Sequence, residues 1–169
     1  MKKKIVLISG LATIVVILLI VISRNEPLRV QKRTAEDEMP DFRFQLMDGT
    51  NIQTSDMDTG KYTLLWFFNS ECDICVKEVR ALTDSITLLN DCQILLVSYE
   101  DSLTIAKFSE QFCLMDFPSI HVAYTSMENV FCMFKIYAIP TLYVYHPDKR
   151  MIKYKPGPVT IHEIVEYLK

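Results

Sequence analysis

The fold of this chain is decided by residues 62–78, which read YTLLWFFNSECDICVKE. An apolar and aromatic run ends abruptly at a C-x-x-C motif, and a helix-like pattern follows at once, which predicts a strand, a turn and a helix. Cys72 and Cys75 at a helix N-terminus would lie close enough to form a disulfide. The first sulfur would stay exposed beside the unpaired N–H groups of the first helical turn. This arrangement indicates redox chemistry.

Strand-like and helix-like patterns alternate through most of the chain. An Asp48-Gly49 turn predicts a hairpin from alternating apolar residues at 42–46 and a return strand at 52. The other predicted strands cover residues 62–68, 93–99, 119–124, 141–145 and 151–154. The predicted helices run from the cysteines to residue 89, over 102–112 and 127–136, and onward from Thr160, which has capping-box spacing to Glu163. The pattern predicts an α/β fold, a three-layer α/β/α sandwich with an N-terminal β-hairpin.

A second motif, Tyr137-Ala138-Ile139-Pro140-Thr141, precedes an apolar strand far downstream. Together with FFNSECDIC-x-x-E and the D-G hairpin, it resembles the thioredoxin superfamily. The closest resemblance is to the membrane-anchored TlpA/ResA-like thiol-disulfide oxidoreductases, which have a redoxin domain, and it runs from about residue 39 to the C-terminus. That family usually has Trp before the first cysteine and often Pro before the second, where this chain has Glu71 and Ile74.

The C-x-x-C pair predicts a two-step exchange. We expect Cys72 to attack a substrate disulfide as the nucleophile and Cys75 to resolve the mixed disulfide. Glu71 and Asp73 put negative charge beside Cys72, which disfavours its thiolate and predicts a reductant, with a potential nearer thioredoxin than DsbA. The alternative is that Asp73 only complements the helix dipole and Glu71 points into water.

The resemblance implies three further site residues. Glu78 lies about one helical turn past Cys75, where TlpA/ResA-like proteins carry an acid, and it would exchange a proton with Cys75. A solvated glutamate on the helix surface is the alternative. The resemblance also implies a cis bond before Pro140, although base rates alone favour trans. Such a bond would turn the Ile139 backbone toward the cysteines, where it could pair with a substrate strand.

Three more cysteines bring the total to an odd five. We expect Cys92, Cys113 and Cys132 to be buried apolar residues, with a Cys113–Cys132 bridge as the alternative. These cysteines and the three histidines have no metal-ligand spacing, so we predict neither a metal site nor a cofactor. A purely structural disulfide between Cys72 and Cys75 is disfavoured because it would not need to join a buried strand to a helix start.

The N-terminal segment predicts a membrane anchor. Residues 5–22 form an apolar run of 18 residues, which at about 1.5 Å per residue nearly spans a hydrocarbon core about 30 Å thick. An uncleaved anchor over residues 1–22 is favoured over a cleaved signal peptide, because the run is long and 21–23 is a poor cleavage site. A linker would follow over residues 23–38 and a thioredoxin-like domain over 39–169. We place the domain in the periplasm or outside the cell.

The charge distribution limits the partners. Although the net charge is only −3, seven of the 18 Lys and Arg lie in the first 33 residues, whereas 20 of the 21 Asp and Glu follow. The acidic body argues against nucleic-acid binding. We expect a monomer that reduces disulfides of exported proteins and is recycled by a membrane thiol electron donor. The alternatives are a peroxiredoxin-type thiol peroxidase, disfavoured because Asn69 stands where that group has Thr, and a non-catalytic thioredoxin-fold docking domain.

Overall fold

The computed structural model describes residues 38–169. Within this range the strands are β1 (Arg43–Leu46), β2 (Asn51–Gln53), β3 (Tyr62–Phe67), β4 (Cys92–Ser98), β5 (Ile120–Tyr124), β6 (Thr141–Tyr145) and β7 (Met151–Pro156). The α-helices are α1 (Asp73–Asp84), α2 (Ser102–Gln111) and α3 (Ile161–Tyr167). The strands form one mixed sheet in the order β2-β1-β5-β4-β3-β6-β7. The predicted alternation of strands and helices is confirmed except over residues 127–136.

Strand β3 lies in the interior of the sheet, next to the central strand β4. It pairs parallel with β4 on one side and antiparallel with β6 on the other. Its residues from Thr63 to Phe67 are all buried, because the sheet is covered on both faces, and this explains the nearly unbroken apolar run. The carboxyl end of β3 leads directly into the C-x-x-C turn and α1.

Side chains of β3 alternate between two cores. Leu64 and Trp66 belong to the core that also holds buried residues of all three described α-helices. Those helix residues are Cys75, Val79 and Leu82 from α1, Ile105 and Phe108 from α2, and Ile161 and Ile164 from α3. Leu65 and Phe67 belong to the second core, on the opposite face. One face of the sheet is therefore the helical layer.

The opposite face differs from the predicted third layer. Instead of an α-helix over residues 127–136, it carries a single π-helical turn, Asn129–Met133. The Phe134 N–H donates to the Asn129 carbonyl and the Ile136 N–H donates to that of Val130, both at 3.1 Å. Val130, Phe134 and Ile136 are buried. These residues are spaced four and then two apart, and an α-helix cannot place residues with that spacing on one face. Lys135 enters the left-handed region at φ 50°.

Hairpins occupy both edges of the sheet, and the predicted N-terminal hairpin is one of them. In the first, β1 and β2 are antiparallel, and Gly49 has φ 83°, a conformation that glycine adopts without strain. Strand β1 also pairs with β5, so the N-terminal hairpin extends the sheet. At the other edge β6 and β7 are antiparallel.

Helix α1 ends earlier than predicted. It stops at Asp84, and a 3₁₀ turn, Ile86–Leu89, follows it. The Ser85 N–H donates to the carbonyls of both Ala81 and Leu82, which tightens the chain at this point. In a 3₁₀ turn, side chains three residues apart lie on the same side. The apolar spacing of α1 therefore continues through this turn, which is why the sequence predicted a longer helix.

Part of the predicted organisation concerns residues that the structure does not describe. The predicted anchor over residues 1–22, and all but the last residue of the predicted linker, lie outside the described residues. Among the helices of residues 38–169, none is long and apolar enough to cross a membrane.

Candidate active site

Cys72 sits at the junction between β3 and α1. The Phe68 N–H donates to the Val97 carbonyl at 2.9 Å, and the Cys72 N–H donates to the Asn69 carbonyl at 3.2 Å. Cys72 is the N-cap of α1, and its Sγ accepts a hydrogen bond from the Cys75 N–H at 3.3 Å. The half-buried Cys72 sulfur thus lies at the positive end of a helix dipole, where negative charge is favoured.

Cys75 has a different environment. Only 1% of its surface is exposed. Burial is the main cause that raises the pKa of the Cys75 thiol far above its ordinary value, and the hydrogen bond with Cys72 raises it further. Negative charge on Glu78 adds to this effect. Cys75 therefore stays a protonated thiol at neutral pH, and it needs a proton acceptor before it can act as a nucleophile.

Glu78 is buried in the helix-facing core, with 7% of its surface exposed. Its carboxylate accepts hydrogen bonds from the Trp66 Nε1–H at 3.2 Å and from the Val159 N–H at 2.7 Å. Burial raises the pKa of Glu78, and the two hydrogen bonds oppose that shift in part. The alternative of a solvated glutamate is wrong, because the side chain points from α1 toward β3 and the segment before α3.

The Ile139–Pro140 bond is cis, as the resemblance implied. Ile139 is partly buried and packs against both cores, and the helix-facing core contains Cys75 and contacts the partly buried Cys72. The Thr141 hydroxyl donates to the Ala138 carbonyl at 2.6 Å, and the Gly157 N–H donates to the Pro140 carbonyl at 2.8 Å. These bonds fix the segment, while the nearby residue Tyr137 is 74% exposed.

A model of the AhpC/TSA family matches residues 35–154, more than two thirds of the sequence. The chain belongs to the AhpC/TSA family. The match covers both cysteines, Glu78 and Pro140, so the predicted site residues all lie inside the AhpC/TSA region. A comparison with curated proteins found no match.

Solved structures of thioredoxin-like proteins resemble this AhpC/TSA chain. A thioredoxin-like protein from Aeropyrum pernix has a TM-score of 0.63 at 14% identity, covering 76% of this chain and 88% of that chain. A secreted Mycobacterium tuberculosis disulfide oxidoreductase homologous to DsbE of E. coli has a TM-score of 0.62 at 14% identity, covering 76% and 94%. StoA from Bacillus subtilis has a TM-score of 0.57 at 20% identity, covering 77% and 97%. The predicted thioredoxin-like fold and the resemblance to that superfamily are confirmed.

Two of the remaining cysteines contradict the prediction. Cys92 is buried in β4, and burial raises its pKa to about 12. Cys113 and Cys132, however, are exposed free thiols, so the prediction that they are buried is wrong and the alternative bridge is not formed. Cys113 occupies a left-handed position, φ 49°, just after α2, and Cys132 lies in the π-helical turn. Neither position belongs to a regular apolar stripe that would turn its side chain inward.

Sequence reasoning missed an acidic residue of the AhpC/TSA domain that touches the cysteine turn. Glu100 follows the end of β4, and its carboxylate accepts hydrogen bonds from Ser70, two residues before Cys72. A signal was present, since β3 and β4 are parallel neighbours and residues just beyond their carboxyl ends meet at one edge of the sheet.

Proposed function

We propose that this protein is a thiol-disulfide oxidoreductase that reduces disulfides of exported proteins through Cys72 and Cys75. Its family and its thioredoxin-like fold already indicate a redox enzyme in general. The observation that carries the specific proposal is the contrast between the two thiols. A half-buried Cys72 sulfur is held at a helix N-terminus, and a buried Cys75 thiol lies directly behind it.

The proposed reaction has two steps and transfers two electrons. The Cys72 thiolate attacks one sulfur of the substrate disulfide, forming a mixed disulfide and releasing the other substrate sulfur as a thiolate that takes up a proton. Cys75 then loses its proton and attacks the Cys72 sulfur. The Cys72–Cys75 disulfide forms, the second substrate thiolate leaves, and the dithiol has been oxidised as the substrate disulfide was reduced.

Glu78 is the proposed acceptor of the Cys75 proton. Its negative charge acts on Cys75, and its own pKa is raised by burial, which makes it a stronger base than an exposed carboxylate. The hydrogen bonds from Trp66 and Val159 would hold the carboxylate in place while the proton moves.

The cis-proline segment is the proposed contact for a polypeptide substrate. The Ile139 backbone would pair with an extended strand carrying the disulfide. Tyr137, and Ile74 between the two cysteines, expose large apolar surfaces that a visiting chain could cover.

The proposed direction is reduction, outside the cytoplasm. Glu71 and Asp73 are both exposed next to Cys72, and their charge disfavours the thiolate that stabilises a reduced form. The apolar run at residues 5–22 supports a membrane anchor with the domain on the periplasmic or outer side. A monomer would then be recycled by a membrane thiol donor.

Insulin reduction by the full-length protein tests this proposal. We expect the wild type to accelerate reduction by dithiothreitol and Cys72→Ser to abolish the acceleration. Cys132→Ser, which removes an exposed thiol outside the motif, is the matched control and should keep full activity. Peroxide consumption without insulin reduction would instead support a thiol peroxidase, and neither activity would support a docking domain.

A further inference from the structure

The carboxylate of Glu100 is tied to the turn that carries Cys72. Its Oε2 accepts hydrogen bonds from the Ser70 N–H at 2.8 Å and from the Ser98 hydroxyl at 2.9 Å. Its Oε1 accepts a hydrogen bond from the Ser70 hydroxyl at 2.6 Å. The Ser98 hydroxyl also accepts from the Glu100 N–H at 3.2 Å, which fixes the start of the side chain. Both carboxylate oxygens are therefore engaged.

This contact completes the attachment of the turn to the sheet. Upstream, the Phe68 N–H binds the Val97 carbonyl and continues the pairing of β3 with β4. Within the turn, the Asn69 side-chain oxygen accepts from the Glu71 N–H at 2.9 Å. That bond is internal, so it cannot anchor the turn to the rest of the molecule. Among the described residues, the side chain of Glu100 links the turn between Phe68 and α1 to the end of β4.

We infer that Glu100 is a positioning residue that holds the Cys72 sulfur at the N-terminus of α1. This inference rests on the proposed function, in which Cys72 must approach a disulfide along the sulfur–sulfur axis. Charge-assisted hydrogen bonds to a carboxylate are about twice as strong as neutral ones. Displacing a reacting group by about 1 Å can cost about a hundredfold in rate, so a looser turn should slow the exchange.

The chemistry of the contact favours a glutamate. Ser70 presents two donors to two different oxygens, whereas a glutamine offers one oxygen and a donating NH₂ group. In Glu100→Gln the Ser70 hydroxyl would have to rotate and accept from the NH₂ group, and the negative charge that strengthens these hydrogen bonds would be lost. Aspartate is one methylene shorter and would not reach Ser70 from the same backbone position.

The test measures Cys72 reactivity in the reduced full-length protein. The rate of Cys72 alkylation by iodoacetamide is followed from pH 5 to 9 by peptide mass spectrometry, which separates Cys72 from the other thiols. The variants are Glu100→Gln, Ser70→Ala and the double variant, and Glu110→Gln, an exposed glutamate of α2, is the matched control. Thermal unfolding of each variant shows whether it is folded.

We expect Glu100→Gln to lower the alkylation rate at pH 7 on the order of tenfold and to move its profile to higher pH, because the sulfur leaves the helix N-terminus. Ser70→Ala should lower it about threefold, since one of two donors remains. The double variant should match Glu100→Gln within about twofold, because both changes break one contact. Glu110→Gln should behave as the wild type.

Unchanged rates and profiles in Glu100→Gln and Ser70→Ala would overturn the inference, even if both variants unfolded at lower temperature. Independent, multiplying effects of the two changes would overturn it as well. Since alkylation needs no turnover, a wild type that fails to reduce insulin would remove the proposed function and leave this test valid. If Glu100→Gln fails to fold, Ser70→Ala decides the question alone.

Discussion

At the scale of single residues, the active-site pair is asymmetric because its two sulfurs have different solvation. Cys72 caps a helix and meets solvent, whereas Cys75 is enclosed by the core. Desolvation disfavours the charged form of a thiol, and the helix N-terminus favours it. The order of attack in the proposed reaction follows from this difference, with the accessible sulfur first and the enclosed sulfur second.

This asymmetry predicts the alkylation pattern of the reduced protein. At pH 7 we expect iodoacetamide to label Cys72, Cys113 and Cys132, while Cys75 and Cys92 remain protected by burial and by their raised pKa values. Peptide mass spectrometry of the labelled full-length chain measures this. Labelling of Cys75 as fast as Cys72 would contradict the asymmetry.

Glu78 predicts a pH dependence of stability. Because burial raises its pKa, the folded state holds this proton more tightly than the unfolded chain does. The residue's contribution to the free energy of unfolding is therefore fully present below its unfolded pKa, near 4.3, and it is lost as the pH rises through the raised folded value. We expect the wild type to lose stability relative to Glu78→Gln between about pH 4 and neutral pH.

Urea unfolding of both proteins across that range gives the difference. Glu110→Gln, which alters an exposed glutamate, should show no such trend against the wild type. A difference between wild type and Glu78→Gln that stays constant with pH would mean that the Glu78 pKa is not raised.

The cysteine pair could be predicted from the sequence pattern and the cis proline from the resemblance, but the partners of Glu78 could not. The C-x-x-C spacing identified Cys72 and Cys75, and the resemblance to the thioredoxin superfamily implied the cis bond before Pro140. The burial of Glu78 depends on Val159, 81 residues away in the sequence, and a contact of that separation leaves no local pattern. Glu100 lies 30 residues after Ser70, and only the parallel pairing of β3 with β4 indicates that the two residues meet.

At the scale of elements, helix starts were predicted more accurately than helix ends. Cys72, Asp101 and Thr160 each cap a helix with a side-chain acceptor, and such residues are visible in a sequence. The end of α1 depends on the geometry at Ser85, and the apolar spacing fits an α-helix and a 3₁₀ turn equally well. The π-helical turn at Asn129–Met133 was missed for a different reason, because the helix-like composition of residues 127–136 predicted an α-helix whereas the buried residues there follow no α-helical spacing.

The capping box of α3 predicts a measurable loss of stability. The Thr160 hydroxyl accepts from the Glu163 N–H at 3.2 Å, and the Glu163 carboxylate accepts from the Thr160 N–H at 2.8 Å. Thr160→Ala should lower the free energy of unfolding by about 1 kcal/mol in urea titrations. Thr87→Ala, at an exposed position of a 3₁₀ turn, is the control and should change it by less than about 0.5 kcal/mol. Equal effects would show that the cap is not stabilising.

At the scale of the whole molecule, stability depends on the two apolar cores on either face of the sheet. The strand pattern predicted that both faces of the sheet are covered, because β3, β4 and β6 are apolar at nearly every position. The covering of the second face by a π-helical turn was not predictable, since its buried residues follow no single period.

Leu96 tests how strongly the helix-facing core contributes. It is fully buried in β4, between β3 and β5. Leu96→Ala should lower the free energy of unfolding by about 2–5 kcal/mol, from lost burial and the cavity left behind. Leu88→Ala removes the same atoms from a residue that is 62% exposed, and it should cost less than about 0.5 kcal/mol. Similar losses for the two variants would contradict the described core.

Trapping the intermediate tests the proposed reaction most directly. The full-length Cys75→Ser variant, reduced and mixed with a disulfide-containing protein, can form the mixed disulfide but cannot resolve it. We expect a stable adduct whose peptide map places the substrate on Cys72, and no adduct with Cys72→Ser. No adduct at all, or an adduct found on the exposed Cys113 or Cys132 instead, would contradict the assignment of Cys72 as the nucleophile.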